Sequence, residues 1–112
     1  MNRKEISMLL MSTGMSPALK GFDYIIDSVE MINENREFLY SITNLLYPTL
    51  AEKYKCTPSS VERCIRHAIE KSFENARASI IEKIFGNTYN FAKGKPTNAE
   101  YLGALAEQIR YS

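Results

Sequence analysis

Arg63, Arg66, His67 and Glu70 stand at i, i+3, i+4 and i+7 within "SSVERCIRHAIEKSF". At about 100° per residue they share one side of a helix with Ser59, and Glu62 lies on the flank. Val61, Ile65, Ala68, Ile69 and Ser72 fall on the other side. A helix that only packs needs no particular polar face, so two arginines among glutamates call for an explanation. A guanidinium donates two parallel hydrogen bonds to paired acceptors such as O6 and N7 of guanine, and a carboxylate accepts from N4 of cytosine. A glutamate among arginines repels phosphate. It makes sense as a base reader or as a brace for a neighbouring guanidinium. Ser59, Ser60 and the backbone N–H groups at the helix start suit phosphate oxygens. Lys53, Lys55 and Lys71 flank the helix and can do the same.

Other chemistries find less support. His67 is the single histidine, and neither a nucleophile nor a carboxylate motif accompanies it as catalysis requires. Cys64, one turn earlier, tilts towards the apolar side and reads as core. Cys56 and Cys64 match neither a CxxC nor a zinc pattern, which leaves reduced thiols and no metal or cofactor. Tyr40, Tyr47, Tyr54, Tyr89 and Tyr101 are scattered over separate elements, as core-edge aromatics rather than a base-stacking platform. Lys and Arg number 14 against 13 Asp and Glu. So small an excess argues against a non-specific polyelectrolyte binder but allows a locally basic face. No run approaches the roughly 18 apolar residues of a membrane span, and "ISMLLMSTGM" lacks a signal-peptide cleavage pattern. A cytoplasmic protein is expected.

The elements that must position these residues are helical. The 112 residues suffice for one domain over 1–112. Apolar spacing of 3.6 recurs, and alternating β-branched runs do not. A first helix is expected from Lys4 to Thr13, ended by Gly14. Ser16 and Pro17 are expected to start a second, whose stripe is Leu19, Phe22, Ile25, Ile26, Val29 and Ile32, with Gly21 its weak point. "REFLYSITNLL" is a third, and Pro48 places a joint at Tyr47. A short helix follows from Pro48 to Tyr54. Thr57 with Pro58, or Ser59 with Glu62, starts the long helix to Glu74. "ARASIIEKIF" is one more helix, closed by Gly86; "NTYNFAKGKP" is a loop; Thr97 and Glu100 form a capping box that opens the last helix. The expected fold is a compact all-α bundle of about six helices.

The segment 47–74 fits a helix-turn-helix. Ala51 is small where the second helix would cross, Leu50 and Tyr54 are apolar, Cys56 can plug the turn, and Val61, Cys64 and Ile65 face back. The turn position often held by glycine is Lys55, which suggests a less common turn. In this motif the N-terminal half of the second helix enters the major groove of DNA. The rival reading is a protein-interaction module that modulates a partner regulator without binding DNA itself.

"SITNLLYPTLAEKY", "SSVERCIRHAIE", Phe85-Gly86 and "KPTNAEY" at Lys95, with "ALKGFDYI" earlier, resemble the C-terminal DNA-binding domain of the sporulation master response regulator, the stage-zero A protein family of endospore-forming bacteria. The resemblance spans Ile6 to Arg110. It implies a helical effector domain that binds a double-stranded promoter element, often as tandem copies, and contacts RNA polymerase sigma factors. By resemblance, the base-reading residues are Glu62, Arg63 and Arg66, His67 follows in the same motif, and Lys95 lies near the DNA backbone or a neighbouring subunit. Two departures stand out. Ser60 occupies a position where the family tends to have arginine, and "ENARASIIEKI" differs more than the recognition helix does. The phosphoacceptor receiver domain that usually precedes this one is absent from the chain. Pairing through an apolar surplus on "ARASIIEKIF" and the last helix is expected.

Overall fold

The computed structural model describes residues 2–75, 78–86 and 94–110. The described residues form helices without strands: α1 (Arg3–Ser12), α2 (Lys20–Glu34), α3 (Glu37–Tyr40), a π-helical turn (Ile42–Leu46), α4 (Tyr47–Tyr54), α5 (Pro58–Asn75), α6 (Ala78–Phe85) and α7 (Asn98–Arg110). The expected all-α bundle is therefore what forms. Residues 87–93 of the expected loop, with Tyr89, lie outside the described residues.

α2 is the hub. It packs most extensively on α5 and α7 and also touches α1, α3 and α4. Its apolar stripe is buried as the spacing predicts, with Leu19 partly covered. Gly21, expected to weaken the helix, has a packing role: a Cβ there would lie 2.2 Å from the Cys64 carbonyl oxygen and 2.8 Å from Cys64 C and the Ala68 Cβ. Only a glycine lets α2 and α5 cross this closely.

Two boundaries differ from expectation. Ser16 and Pro17 shape a turn rather than the start of α2. The Ser16 Oγ accepts from the Ala18 N–H at 3.1 Å, the Leu19 N–H donates to the Ser16 carbonyl at 3.2 Å, and the helix begins at Lys20 after an extended Leu19. Proline's fixed φ suits the second position of a turn as well as a first helical turn. The second difference is at Pro48. Tyr47 is helical (φ −61°, ψ −45°) and the break comes earlier, at Ser41 (φ −133°, ψ 57°). The wider π-helical turn leads directly into α4, and its extra room accommodates a proline ring that would collide with a carbonyl of a regular α-helix.

Four caps follow the sequence. Thr57 caps α5, its Oγ1 accepting from the Ser60 N–H at 3.1 Å. Thr97 and Glu100 form the reciprocal capping box, at 3.0 and 3.1 Å. Gly14 and Gly86 take positive φ (87° and 56°) after α1 and α6.

Most of the apolar side chains described on α6 and α7 are taken up by the chain's own core, with Ile80 only partly covered. Ile84, Phe85, Tyr101, Leu102, Leu105, Ala106 and Ile109 are all buried in the chain's own core. Phe73, Phe85 and Tyr101 stack as a cluster with centroids 5.3–6.4 Å apart. The core absorbs these faces because α7 packs against α2, α5 and α6 together. Among the described residues the large apolar side chains that reach solvent are Met8, Met11, Tyr40 and Leu45.

Candidate nucleic-acid interface

Three residues, Lys55 to Thr57, join α4 to α5. Lys55 adopts the left-handed conformation (φ 55°, ψ 52°). Its N–H donates to the Glu52 carbonyl at 3.4 Å, and that of Cys56 to the Ala51 carbonyl at 2.9 Å. This pair of bonds is a Schellman motif, in which glycine usually holds the left-handed position. The turn thus has the glycine-type geometry although a lysine makes it, a correction to the less common turn expected from the sequence. Cys56 packs against the core as the expected plug, 3.9 Å from the Tyr24 hydroxyl. Leu50 and Ala51 are buried on α4.

The two faces of α5 separate as the wheel predicts. Val61, Ile65, Ala68, Ile69 and Ser72 are buried. Ser72 donates to the carbonyl of Thr13 at 3.2 Å. Burial pushes the phenol of Tyr101 up to about 12, against the lowering effect of hydrogen bonds with Thr13 and Ser72. On the outer face Ser59, Arg63, Arg66 and His67 are exposed, while Ser60, Glu62 and Glu70 are half-buried.

Arg66 is held along the helix. Its Nε donates to Glu62 Oε2 at 3.0 Å and its Nη2 to Glu62 Oε1 at 3.5 Å, and its Nη1 lies 3.9 Å from Glu70 Oε1. The hydrogen bond with Glu62, then the charges of Glu62 and Glu70, hold its proton more firmly than usual. Glu62 therefore takes the bracing geometry.

A residue that the sequence reading passed over reaches this pair from another helix. Asn98, first in α7, points its Nδ2 at the Tyr47 hydroxyl (2.9 Å), the Glu62 carbonyl (3.2 Å) and Glu62 Oε2 (3.4 Å). In its motif, "KPTN", the charge of Lys95 is the more conspicuous feature. Between these elements lies a groove of about 350 Å³ lined by Ile42, Thr43, Tyr47, Glu62, Arg66 and residues 96–99.

The flanking lysines differ in their surroundings. Lys55 and Lys95 are exposed. Lys71 lies 3.4 Å from Glu74 Oε2. Lys53 donates at 2.9 Å to Asp27, a buried carboxylate on α2 that also accepts from Arg3 at 2.6 Å and from the Tyr54 hydroxyl. Burial alone would push the carboxyl of Asp27 up; hydrogen bonds from Lys53, Tyr54 and Arg3 outweigh it and hold the group below its ordinary value. The cluster ties α1, α2 and α4 together.

Among the described residues no group of His, Cys, Asp and Glu is arranged to hold a metal ion, and no helix is long and apolar enough to cross a membrane.

Residues 6–109 match the family model described as "Sporulation initiation factor Spo0A C terminal". The chain belongs to that family, a family of DNA-binding effector domains of transcription regulation in sporulation and not an enzyme class.

Proposed function

We propose, from membership of that family, that the chain is a sequence-specific transcription regulator that reads a promoter element in the major groove with the N-terminal half of α5. The observation that carries the reading is the outer face of that half. Arg63, Arg66 and His67 stand exposed there while the whole opposite face is locked in the core. Arg63 and Arg66 are assigned to guanine edges. Glu62 braces Arg66 and is available to a cytosine amine. Ser59, Ser60 and the α5 N-terminus meet phosphate, as do Lys55 and Lys95; Lys53 and Lys71 join only by exchanging the carboxylates they now face. Such a protein works in the cytoplasm. Copies pairing on adjacent elements, and contact with a sigma factor, would complete the regulatory act.

Fluorescence anisotropy with cognate and scrambled duplexes over a salt series tests the reading. Each of Arg63→Ala and Arg66→Ala should lose about 1–3 kcal/mol of discrimination at one or two base pairs. The slope of log affinity against log salt should be shallow, about −0.9 per phosphate and smaller in magnitude than about 5 overall. Two alanine variants as selective as the parent would remove the assignment of α5. Cooperative binding to a two-site duplex, absent on one site, is the expected mark of pairing.

A further inference from the structure

We propose that Asn98 is a positioning residue for base choice: from α7 it fixes the carboxylate of Glu62 and, through it, the guanidinium of Arg66 on α5. The inference rests on the reading of α5 as the recognition helix and adds a second helix to the specificity apparatus.

An exposed i,i+4 pair such as Glu62 and Arg66 is worth only about 0.3–0.5 kcal/mol, too little to keep two long side chains in one rotamer. Asn98 supplies a further point of attachment from a separate element. Its amide orientation is fixed by chemistry, because the Glu62 carbonyl and carboxylate are acceptors only, so the nitrogen must face them. The amide is itself anchored. Its Nδ2 is 2.9 Å from the hydroxyl of the buried Tyr47. Glu62 Oε2 thus accepts from Asn98 on one side, at 3.4 Å, and from Arg66 Nε on the other, at 3.0 Å. A carboxylate whose Oε2 is shared by Asn98 and Arg66, with Oε1 3.5 Å from Arg66 Nη2, leaves the far edge of the guanidinium aimed along one direction. That is what bidentate recognition of a base requires, since both hydrogen bonds are lost together when the fork rotates.

Asn98→Asp is the informative variant. A carboxylate at the first position of α7 suits a helix N-terminus, so folding is retained, while its charge repels Glu62. Two measurements are made on the full chain: ¹⁵N relaxation of the Arg66 Nε–H without DNA, and selectivity among duplexes altered one base pair at a time. The expected result is a more mobile Arg66 Nε–H and a loss of about fivefold in discrimination at the base pair that Arg66→Ala also affects, at the low end of one bidentate contact. Discrimination at base pairs beyond the reach of Glu62 and Arg66 stays the same, and in the Arg66→Ala background Asn98→Asp has no further effect at the Arg66 base pair. Thr97→Ala, which removes the cap but keeps the amide, should leave selectivity intact. A selective parent whose Asn98→Asp variant is equally selective, or keeps an equally ordered Arg66, overturns the role of Asn98 alone; so does an equal loss with Thr97→Ala, which would mark a merely structural effect. A parent without any preference among duplexes overturns the reading of α5 itself.

Discussion

Replacing Gly21 with alanine should destabilise the protein even though alanine is the better helix former. Inside a helix the exchange gains about 1 kcal/mol of propensity. Against this, the new methyl would lie 2.2 Å from the Cys64 carbonyl oxygen and 2.8 Å from the Ala68 Cβ. The first is backbone inside a helix and the second is a branch with no rotamer to change, so neither can turn aside. The helices must separate by about 1 Å to reach ordinary contact distance. Separation loosens the most extensive pairing among the described helices, and such overpacking costs about 1–3 kcal/mol or more. A net loss of about 1–2 kcal/mol is expected, read by urea unfolding as a lower midpoint at unchanged slope. Gly103 is the control. A Cβ there meets only Leu39 side-chain carbons, at 3.5 and 3.7 Å, so Gly103→Ala should stabilise by about 0.5–1 kcal/mol. The same substitution then has opposite signs at two helical glycines. A Gly21→Ala protein as stable as the parent would refute the close-crossing argument.

Lys55→Gly should raise stability by about 1 kcal/mol, because glycine takes the left-handed conformation without the steric penalty of a side chain; Lys55→Ala should not, and a thermal melt of the two variants separates them. If the ammonium also meets phosphate, the glycine variant will at the same time bind duplex DNA more weakly with a salt slope lower by about 1. Asp27→Asn should cost about 2–3 kcal/mol at neutral pH, since three donors converge on one buried carboxylate and two of them belong to cations. The sign of its pH dependence follows from a folded-state pKa below the ordinary 3.8. The stabilisation is complete above that value and is lost as pH falls through the lower folded value. Urea midpoints measured from pH 7 to pH 2 should therefore fall less steeply at the acid end for Asp27→Asn than for the parent.

Much of this arrangement is legible in the sequence where it depends on local patterns. The buried face of α5, the stripe of α2 and the caps at Thr57 and Thr97 follow from spacing and from side chains that serve their own backbone. Long-range packing is not legible in that way. Gly21 reads as a flaw until Cys64 and Ala68, more than forty positions on, are brought against it. Asn98 reads as one letter of a motif until α7 is laid beside the start of α5. The π-helical turn escapes because a proline argues for a break, and only the packed chain decides that widening the helix serves as well. Lys55 escapes for a related reason: the two Schellman bonds, one from its own N–H and one from that of Cys56, hold it in the left-handed region against its own preference.

These particulars share one consequence for the reading helix. A recognition helix can select a base only if its axis, its rotation and its side-chain rotamers are all fixed. Gly21 sets the axis by bringing α2 against α5 at Cys64 and Ala68. The buried residues Val61, Ile65, Ala68, Ile69 and Ser72 set the rotation, since turning the helix would expose some of them. Asp27 holds α4, and so the turn leading into α5, against α2 through Lys53 and Tyr54. What remains loose is the outer face, where long charged side chains are solvated and weakly paired. There Asn98 reaches Glu62, and Glu62 holds Arg66. Among the described residues Arg63 has no counterpart from α7, so its contribution to selectivity should be insensitive to Asn98, whereas that of Arg66 should depend on it.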